Sequence, residues 1–226
     1  MAWRCSANTN IGLINNLKAS GIIQSTEVYR AMSLVDRKHY APIKPYDDSP
    51  QTIGYGATIS APHMHAYALE YLKGYLKPGM KALDVGSGSG YLTSCMASMV
   101  GENGQVVGIE HISELVDLST NNVKADHPEF LESGRVQFVT GDGRKGHPEN
   151  GPYDCIHVGA AAVKTPMALI NQLKSPGRMF IPVGSELHSQ SIYQIDKDEN
   201  GEIKEEELMG VMYVPLTDAE KQRGNW

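Results

Sequence analysis

The stretch Ala82-Leu83-Asp84-Val85-Gly86-Ser87-Gly88-Ser89-Gly90-Tyr91-Leu92 decides the fold. A short apolar run turns through three glycines at every second position. It then continues as an apolar, helix-compatible segment from Tyr91 to Val100. Strand, glycine loop and helix form the nucleoside-cradling turn of a doubly wound α/β domain. Glycine lets a ligand approach the backbone and supplies positive φ in a tight turn. The following helix start leaves N–H groups aimed at that ligand.

The spacing narrows the ligand. A dinucleotide fingerprint, G-x-G-x-x-G, would need a third glycine where Tyr91 stands. Asp84, two residues before the first glycine, would repel a pyrophosphate. An acid there suits a ligand that is cationic and lacks phosphate, as S-adenosylmethionine is. Asp-x-Gly-x-Gly-x-Gly is a pattern of methyltransferases that use it. A nicotinamide oxidoreductase is disfavoured on the same grounds.

Outward from the loop, strands and helices alternate. Strands are expected at Lys81–Val85, Gln105–Glu110, Arg135–Thr140, Tyr153–Val158 and Arg178–Val183. Helices are expected at Tyr91–Val100, Ile112–Asp126 and Pro166–Leu173, the last stopped by Lys174-Ser175-Pro176-Gly177. Such alternation implies right-handed βαβ units and a parallel sheet. After Val183 two strands, Ser189–Asp196 and Glu202–Val214, join at Asp198–Gly201 and give an antiparallel finish. The tail, Pro215–Trp226, reads only as polar.

Before the loop, residues 8–40 read as two amphipathic helices, with Ile11, Ile14 and Leu17 on one and Val28, Met32 and Val35 on the other. Residues 41–61 carry Pro42, Pro45, Pro50, Gly54 and Gly56, which break regular elements. The segment is rich in small and apolar residues, so it is expected to be ordered and to pack over something. A helix follows with His63, Met64, Tyr67, Ala68, Tyr71, Leu72 and Tyr75 as its buried face. The expectation is therefore one α/β domain over 1–226: an N-terminal cap and cover at 1–79, a Rossmann-like cofactor core at 80–183, and closing strands and tail at 184–226.

Composition bounds the partners. At 226 residues, 41% hydrophobic and 20% charged, the chain is an ordinary globular one. A net charge of −6 without a basic run argues against nucleic acid. No window reaches membrane-spanning length and no apolar leader follows Met1, so a cytosolic protein is expected. Cys5, Cys95 and Cys155 are odd in number and far apart, as free thiols are. No apolar heptad is present, which favours a monomer.

In a doubly wound sheet, ligands bind outside the carboxyl ends of the strands. Asp84, Glu110 and Asp142 all stand at such ends. Glu110 lies where an acid accepts hydrogen bonds from ribose hydroxyls, and Asp142-Gly143 could take an adenine edge. Each is singly also readable as a turn or cap residue. Ser60, before Ala61-Pro62, reads equally as a helix N-cap or as a ligand contact. His63-x-His65 lacks a third ligand, so no metal is expected. Gly159-Ala160-Ala161-Ala162 reads as close packing or as a backbone wall of the site. No G-x-S-x-G elbow is present.

Taken together, these residues resemble the protein-L-isoaspartate (D-aspartate) O-methyltransferase family. The matching blocks are Met1-Ala2-Trp3, Asp36-Arg37-x-x-Tyr40, Thr58–Ala66, Leu83–Gly90, Val139–Gly143, Tyr153–Ala162 and Leu208–Asp218. Thr58–Ala66 and Tyr153–Ala162 are the specific ones, because generic methyltransferases lack them. Lys164 and the 185–191 loop depart from the pattern.

The resemblance implies methylation of the free carboxylate of L-isoaspartyl and D-aspartyl residues in aged proteins. The ester then closes to a succinimide, whose hydrolysis regenerates some aspartate. It further implies that Asp84, Val85, Gly86, Ser87, Gly88, Ser89, Gly90, Glu110, His111, Asp142 and Gly143 hold S-adenosylmethionine. Ala57, Thr58, Ile59, Ser60 and His65 would border it, with Thr217 and Gln222 from the tail. Ser60 would position the acceptor carboxylate. That carboxylate, with a pKa of about 3.5–4, is already ionised and needs no general base, in keeping with the lack of a convincing His–carboxylate pair in the sequence. The acceptor peptide would lie along 41–57 and Val211–Leu216. A small-molecule methyltransferase or a non-enzymatic S-adenosylmethionine-binding protein are the alternatives.

Overall fold

A computed structural model describes residues 5–185 and 189–224. Met1-Ala2-Trp3, residues 186–188 of the departing loop and the end of the tail lie outside them. The N-terminal pair is α1 (Asn10–Ala19) and α2 (Thr26–Leu34), each opened by a hydroxyl cap: Thr9 accepts from Gly12 N and Ser25 from Val28 N. On α1 the buried stripe is Asn10, Leu13, Ile14 and Leu17, while Ile11 faces outward, half exposed. Asn10 replaces it because its amide bonds the Met32 and Val35 carbonyls at the end of α2.

Residues 41–61 are not wholly irregular. They form a hairpin of β1 (Gln51–Gly54) and β2 (Ala57–Ile59). Its turn residues Tyr55 and Gly56 both have positive φ, 52° and 66°, the geometry that matches the twist of paired strands. The glycines read as breakers are what lets the hairpin close. On α3 (Pro62–Leu72) the buried residues are Pro62, His65, Ala66, Ala68, Leu69 and Leu72; of the expected face Ala68 and Leu72 are buried, while His63, Met64, Tyr67, Tyr71 and Tyr75 are only half-buried. The tyrosines are only partly covered.

The main sheet combines β3 (Lys81–Val85), β4 (Gln105–Glu110), β5 (Val136–Thr140), β6 (Tyr153–Val158), β7 (Leu173–Val183), β8 (Gln190–Lys197) and β9 (Ile203–Val211). Their order is β5-β4-β3-β6-β7-β8-β9. The first five are parallel and the last two antiparallel. The chain runs outward from β3 and returns at β6, so the switch point lies between those two strands, where doubly wound sheets bind ligands. Between strands lie α4 (Tyr91–Val100), α5 (Ser113–Asp126), α6 (Pro128–Glu132) and α7 (Met167–Gln172), and the tail ends in α8 (Ala219–Arg223). Neither α6 nor α8 is expected from periodicity, since each has only five residues. The inward face of α5 is Leu115, Ser119 and Val123, without the expected Val116 and Leu118.

Strand β7 begins at Leu173, five residues earlier than expected. Lys174–Gly177 is a bulge against β6 rather than a helix stop. Lys174 Nζ reaches the Asp154 carboxylate at 2.8 Å, and Lys197 Nζ bonds the Leu173 carbonyl.

Strand alternation divides the core between the two faces. Ala82, Val106, Cys155 and Phe180 join the cluster under α1–α4. Their neighbours Leu83, Val107, Ile156 and Ile181 join the cluster with Leu169 and Ile170 of α7. This period of two in strands buried on both sides explains their continuous apolar runs. Gly90 ties the loop to this core: its φ is 83°, and a Cβ there would lie 3.0 Å from Phe138 and 3.1 Å from Ser119. Gly90→Ala is expected to destabilise the fold by about 1–3 kcal/mol through backbone strain, read as a lower urea midpoint. An unchanged midpoint would mean that the turn does not depend on glycine there.

Candidate active site

The glycine loop hangs from the end of β4. Gly86 N and Ser87 N both donate to the Ile109 carbonyl, at 2.8 and 3.2 Å. Below it, parallel register sets Asp84 of β3 directly opposite His157 of β6, on the same face. Asp84 is 1% exposed. His157 Nδ1–H donates to its Oδ1 at 2.8 Å, and Thr93 Oγ–H of α4 to its Oδ2 at 2.6 Å. Burying a carboxylate is costly unless it is so bonded. The fold therefore contains a buried His–carboxylate pair that the sequence did not reveal. Its nitrogen–oxygen bond orients the acid at the floor of the cleft. Asp84, Gly86, Ser87, Gly88 and Ser89 line that cleft. Val85 and Gly90 stand behind the wall: Val85 is fully buried, with its carbonyl accepting from Gly159 N.

Glu110 is buried at the end of β4. Its oxygens accept from the N–H groups of Gly88, His111 and Ile112, at 3.3, 2.8 and 3.2 Å. Burial raises its carboxyl above the usual range, and those N–H donors oppose the rise. Two carboxylate oxygens offer about four lone-pair sites, so acceptor capacity remains. Asp142 differs from the other two acids. Arg144 grips it through Nε and Nη2, at 2.9 and 3.0 Å, and bridges on to Asp218. It is a turn residue with an ion pair, and Gly143 beside it lines the cleft instead.

Chain segments far apart in sequence roof the cleft. Ala57 and Thr58 of β2 face Thr217 and Gln222 of the tail across it. Gln222 accepts from His111 Nε2–H at 2.9 Å and donates to the Tyr55 carbonyl at 2.8 Å, joining strand end, α8 and hairpin. Arg223 pairs with Glu114. The Gly159–Ala162 run serves both roles open to it: Gly159 and Ala160 wall the cleft, while Ala161 pairs with Val214 and Leu216 of the tail.

Ser60 lies at a junction. With Thr58 it lines both the cleft and an adjoining groove of about 590 Å³, walled by Pro50, His63, Met64 and Gly210–Pro215. It does not cap α3: the cap residue is Ala61, with no side-chain cap bond. Its carbonyl accepts from the buried Arg37 Nη2 at 2.8 Å. Tyr213 lines the groove with it, and burial pushes that phenol up to about 12. Gln190, itself buried, bonds both Tyr213 N and Tyr213 O and so fixes that wall. His65 lines the cleft beside Ser60, and burial with the neighbouring Arg37 charge holds it well below the ordinary imidazole range. His63 bonds Asp48 at 2.7 Å. Among the described residues no three His, Cys, Asp or Glu side chains are grouped to hold a metal.

This arrangement is a glycine cleft with an acid at each of two strand ends, opening past a serine into an apolar groove. The family model of protein-L-isoaspartate(D-aspartate) O-methyltransferase matches residues 8–221. The chain belongs to that family. It is 55% identical to the protein-L-isoaspartate O-methyltransferase of Caenorhabditis elegans, over 98% of each sequence. It is 50% identical to the Triticum aestivum enzyme of that name, over 96% of this chain and 95% of the relative. A Plasmodium falciparum member, solved in complex with S-adenosyl-L-homocysteine, superposes with a TM-score of 0.87 at 40% identity, covering 93% of this chain and 99% of that one.

Three residues of the site went unassigned in the sequence. His157 lay inside a recognised block, but its partner is 73 residues away. Arg37 lay inside the Asp36-Arg37-x-x-Tyr40 block without a role, yet it is fully buried. Tyr213 lay inside the Val211–Leu216 stretch expected to meet the acceptor peptide, without a role of its own. Thr93→Val keeps the shape of α4 and removes one donor from a buried carboxylate. It is expected to lower stability by about 1–3 kcal/mol, measured as the urea midpoint, and an unchanged midpoint would mean that Asp84 does not need that bond.

Proposed function

We propose that the chain transfers a methyl group from S-adenosylmethionine to the free carboxylate of L-isoaspartyl and D-aspartyl residues in damaged proteins, opening their repair through a methyl ester and succinimide. The observation that carries the proposal is the placement of Ser60 between the glycine cleft and the apolar groove. One wall can hold a nucleoside and the other an extended peptide, and the serine stands where the two would meet.

The residues present suit the cofactor. The Ser87 hydroxyl is buried without a partner among the described residues, and a Cβ on Gly88 would crowd the hairpin's Ile53 at 3.3 Å. Asp84, Gly86, Ser87, Gly88, Glu110, His111, Gly143, Thr217 and Gln222 would hold it, with Ala57 to Ser60 and His65 as the border. When bound, it supplies an activated methyl on a sulfonium. The chain's task is then to strip water from the acceptor carboxylate and orient it. The Ser60 hydroxyl donates to one of its oxygens. Groove residues Met64, Met212 and Val214 cover the peptide flanks with apolar surface, and backbone groups of 210–215 allow recognition independent of flanking side chains. No base acts, because the acceptor is ionised at neutral pH. The His157–Asp84 pair belongs to the floor of the cleft and holds a charge in place.

We further propose that 1–226 works as one domain and one monomer in the cytosol, with 1–79 as cover, 80–183 as cofactor core and 184–226 as closing strands and tail. Supporting this, all three cysteines are buried and unpaired. Among the described residues no helix is long and apolar enough to cross a membrane. The net charge of −6 opposes association with a polyanion.

The test is radiolabelled methyl transfer to matched isoaspartyl and aspartyl peptides. Transfer to the isoaspartyl peptide alone is expected, and equal transfer to both, or to neither, overturns the reading. Ser60→Ala should lower kcat about a hundredfold, as loss of one positioned donor does, with cofactor affinity and urea midpoint nearly unchanged. Loss of stability instead would assign Ser60 to the fold.

A further inference from the structure

Behind the Ser60 junction lies a guanidinium with no surface exposure. Arg37 follows α2, and its side chain runs under the site. Nη2 donates to the Ser60 carbonyl at 2.8 Å, and Nη1 lies 3.3 Å from His65 Nδ1. The group also stands 5.2 Å over the Tyr91 ring. Among the described residues no carboxylate forms an ion pair with it. The buried Asp48 bonds His63 through both the backbone N–H and the ring. A buried arginine without an ion pair is expensive, so a fold that keeps one beside a serine and a histidine of its site calls for a reason.

The reason follows from donor chemistry. Arginine has donors only and cannot accept. His65 Nδ1 must therefore be the acceptor in this contact, which excludes both the Nδ1–H tautomer and the imidazolium. The ring's single proton is left on Nε2, for which the described residues provide no partner, and His65 lines the cleft with Ser60, Asp84 and Ser87.

We propose that Arg37 is a positioning residue: it fixes the Ser60 peptide and locks His65 as a neutral Nε2–H donor facing the cleft. The site then presents two oriented donors, Ser60 Oγ–H and His65 Nε2–H, and no base, which suits carboxylate ligands. This rests on the methyl-transfer reading above for its catalytic consequence, but not for the tautomer itself.

The groups facing His65 set the direction of its titration. They are Arg37, His157 of β6, His63 on its own helix and the Tyr91 ring of α4, centred 5.0 Å away. Asp84, across the cleft, is bonded to Thr93 and His157. Burial and these neighbours lower the folded value, so His65 stays neutral as pH falls through the ordinary imidazole range.

The experiment is long-range proton–nitrogen correlation on ¹⁵N-histidine protein, with His65 assigned by comparison with His65→Asn. In the wild type, His65 Nδ1 should carry the unprotonated signature and Nε2 the protonated one. Neither should change between about pH 5.5 and 8, where free histidine titrates. A protonated Nδ1, or ordinary titration of His65, overturns the proposal, and this needs no variant to fold. Arg37→Met should free His65 Nδ1, so that the ring proton is shared between Nδ1 and Nε2 and the two nitrogen signatures move toward each other. It should also lower kcat/KM about ten- to a hundredfold, as loss of hydrogen bonds from a charged donor does. A folded Arg37→Met with an unchanged His65 signature and unchanged kinetics would make Arg37 a structural filler and overturn the proposal. The spectrum is independent of the acceptor, so failure of isoaspartyl methylation with the expected wild-type spectrum would sink only the functional reading.

Discussion

One buried carboxylate constrains the centre of this molecule. Asp84 stands near the end of β3, the middle one of the five parallel strands, with almost no exposure, where an unpaired charge would cost several kcal/mol. Its two oxygens are bonded from different elements, His157 on the neighbouring strand and Thr93 on the following helix. The parallel register of β3 and β6 brings the first partner level, and the glycine loop brings the second over the top. Any slip of one residue in that register would turn His157 to the opposite face of the sheet and leave the acid bare. Strand order, loop and helix start therefore depend on the same pair of bonds.

The cleft above Asp84 is closed by segments that share no sequence neighbourhood. A hairpin before the sheet and a short helix after it meet beside Glu110, joined by Gln222 to Tyr55 and His111. A second polar centre lies under the other end, where Arg37 supports Ser60 and His65. The two centres divide the labour. Acids with backbone donors form the glycine-loop side, and on the proposed reading the Ser60 and His65 donors form the acceptor side. This suits a reaction whose acceptor arrives already ionised and whose methyl group arrives already activated.

Much of this was legible in the chain. The β3–loop–α4 unit, the four following strands and the antiparallel finish follow from apolar runs, glycine spacing and turn residues, because those signals act within a few residues. The errors fall where a tertiary partner overrides the local signal. Lys174–Gly177 looked like a helix stop and became a strand bulge anchored by Asp154. Gly54 and Gly56 looked like breakers and formed a turn. The grip of Arg144 on Asp142 beside Gly143 at the cleft wall was also not legible in the chain. Ser60 looked equally like a cap and a ligand contact, and the cap position belongs to Ala61.

By itself the sequence determined the doubly wound core and the class of cofactor, because glycine spacing and acid placement are local chemistry written in consecutive residues, while the Thr58–Ala66 and Tyr153–Ala162 blocks carried the resemblance to the family. Only the tertiary structure decided which groups are bonded to one another. His157 pairs with Asp84 across 73 residues, and Arg37 with His65 across 28. It also decided that Ser60 faces a groove rather than a helix end. Burial and hydrogen-bond direction are properties of packed neighbours, and a charged side chain carries no mark in the sequence of whether water or another side chain will surround it.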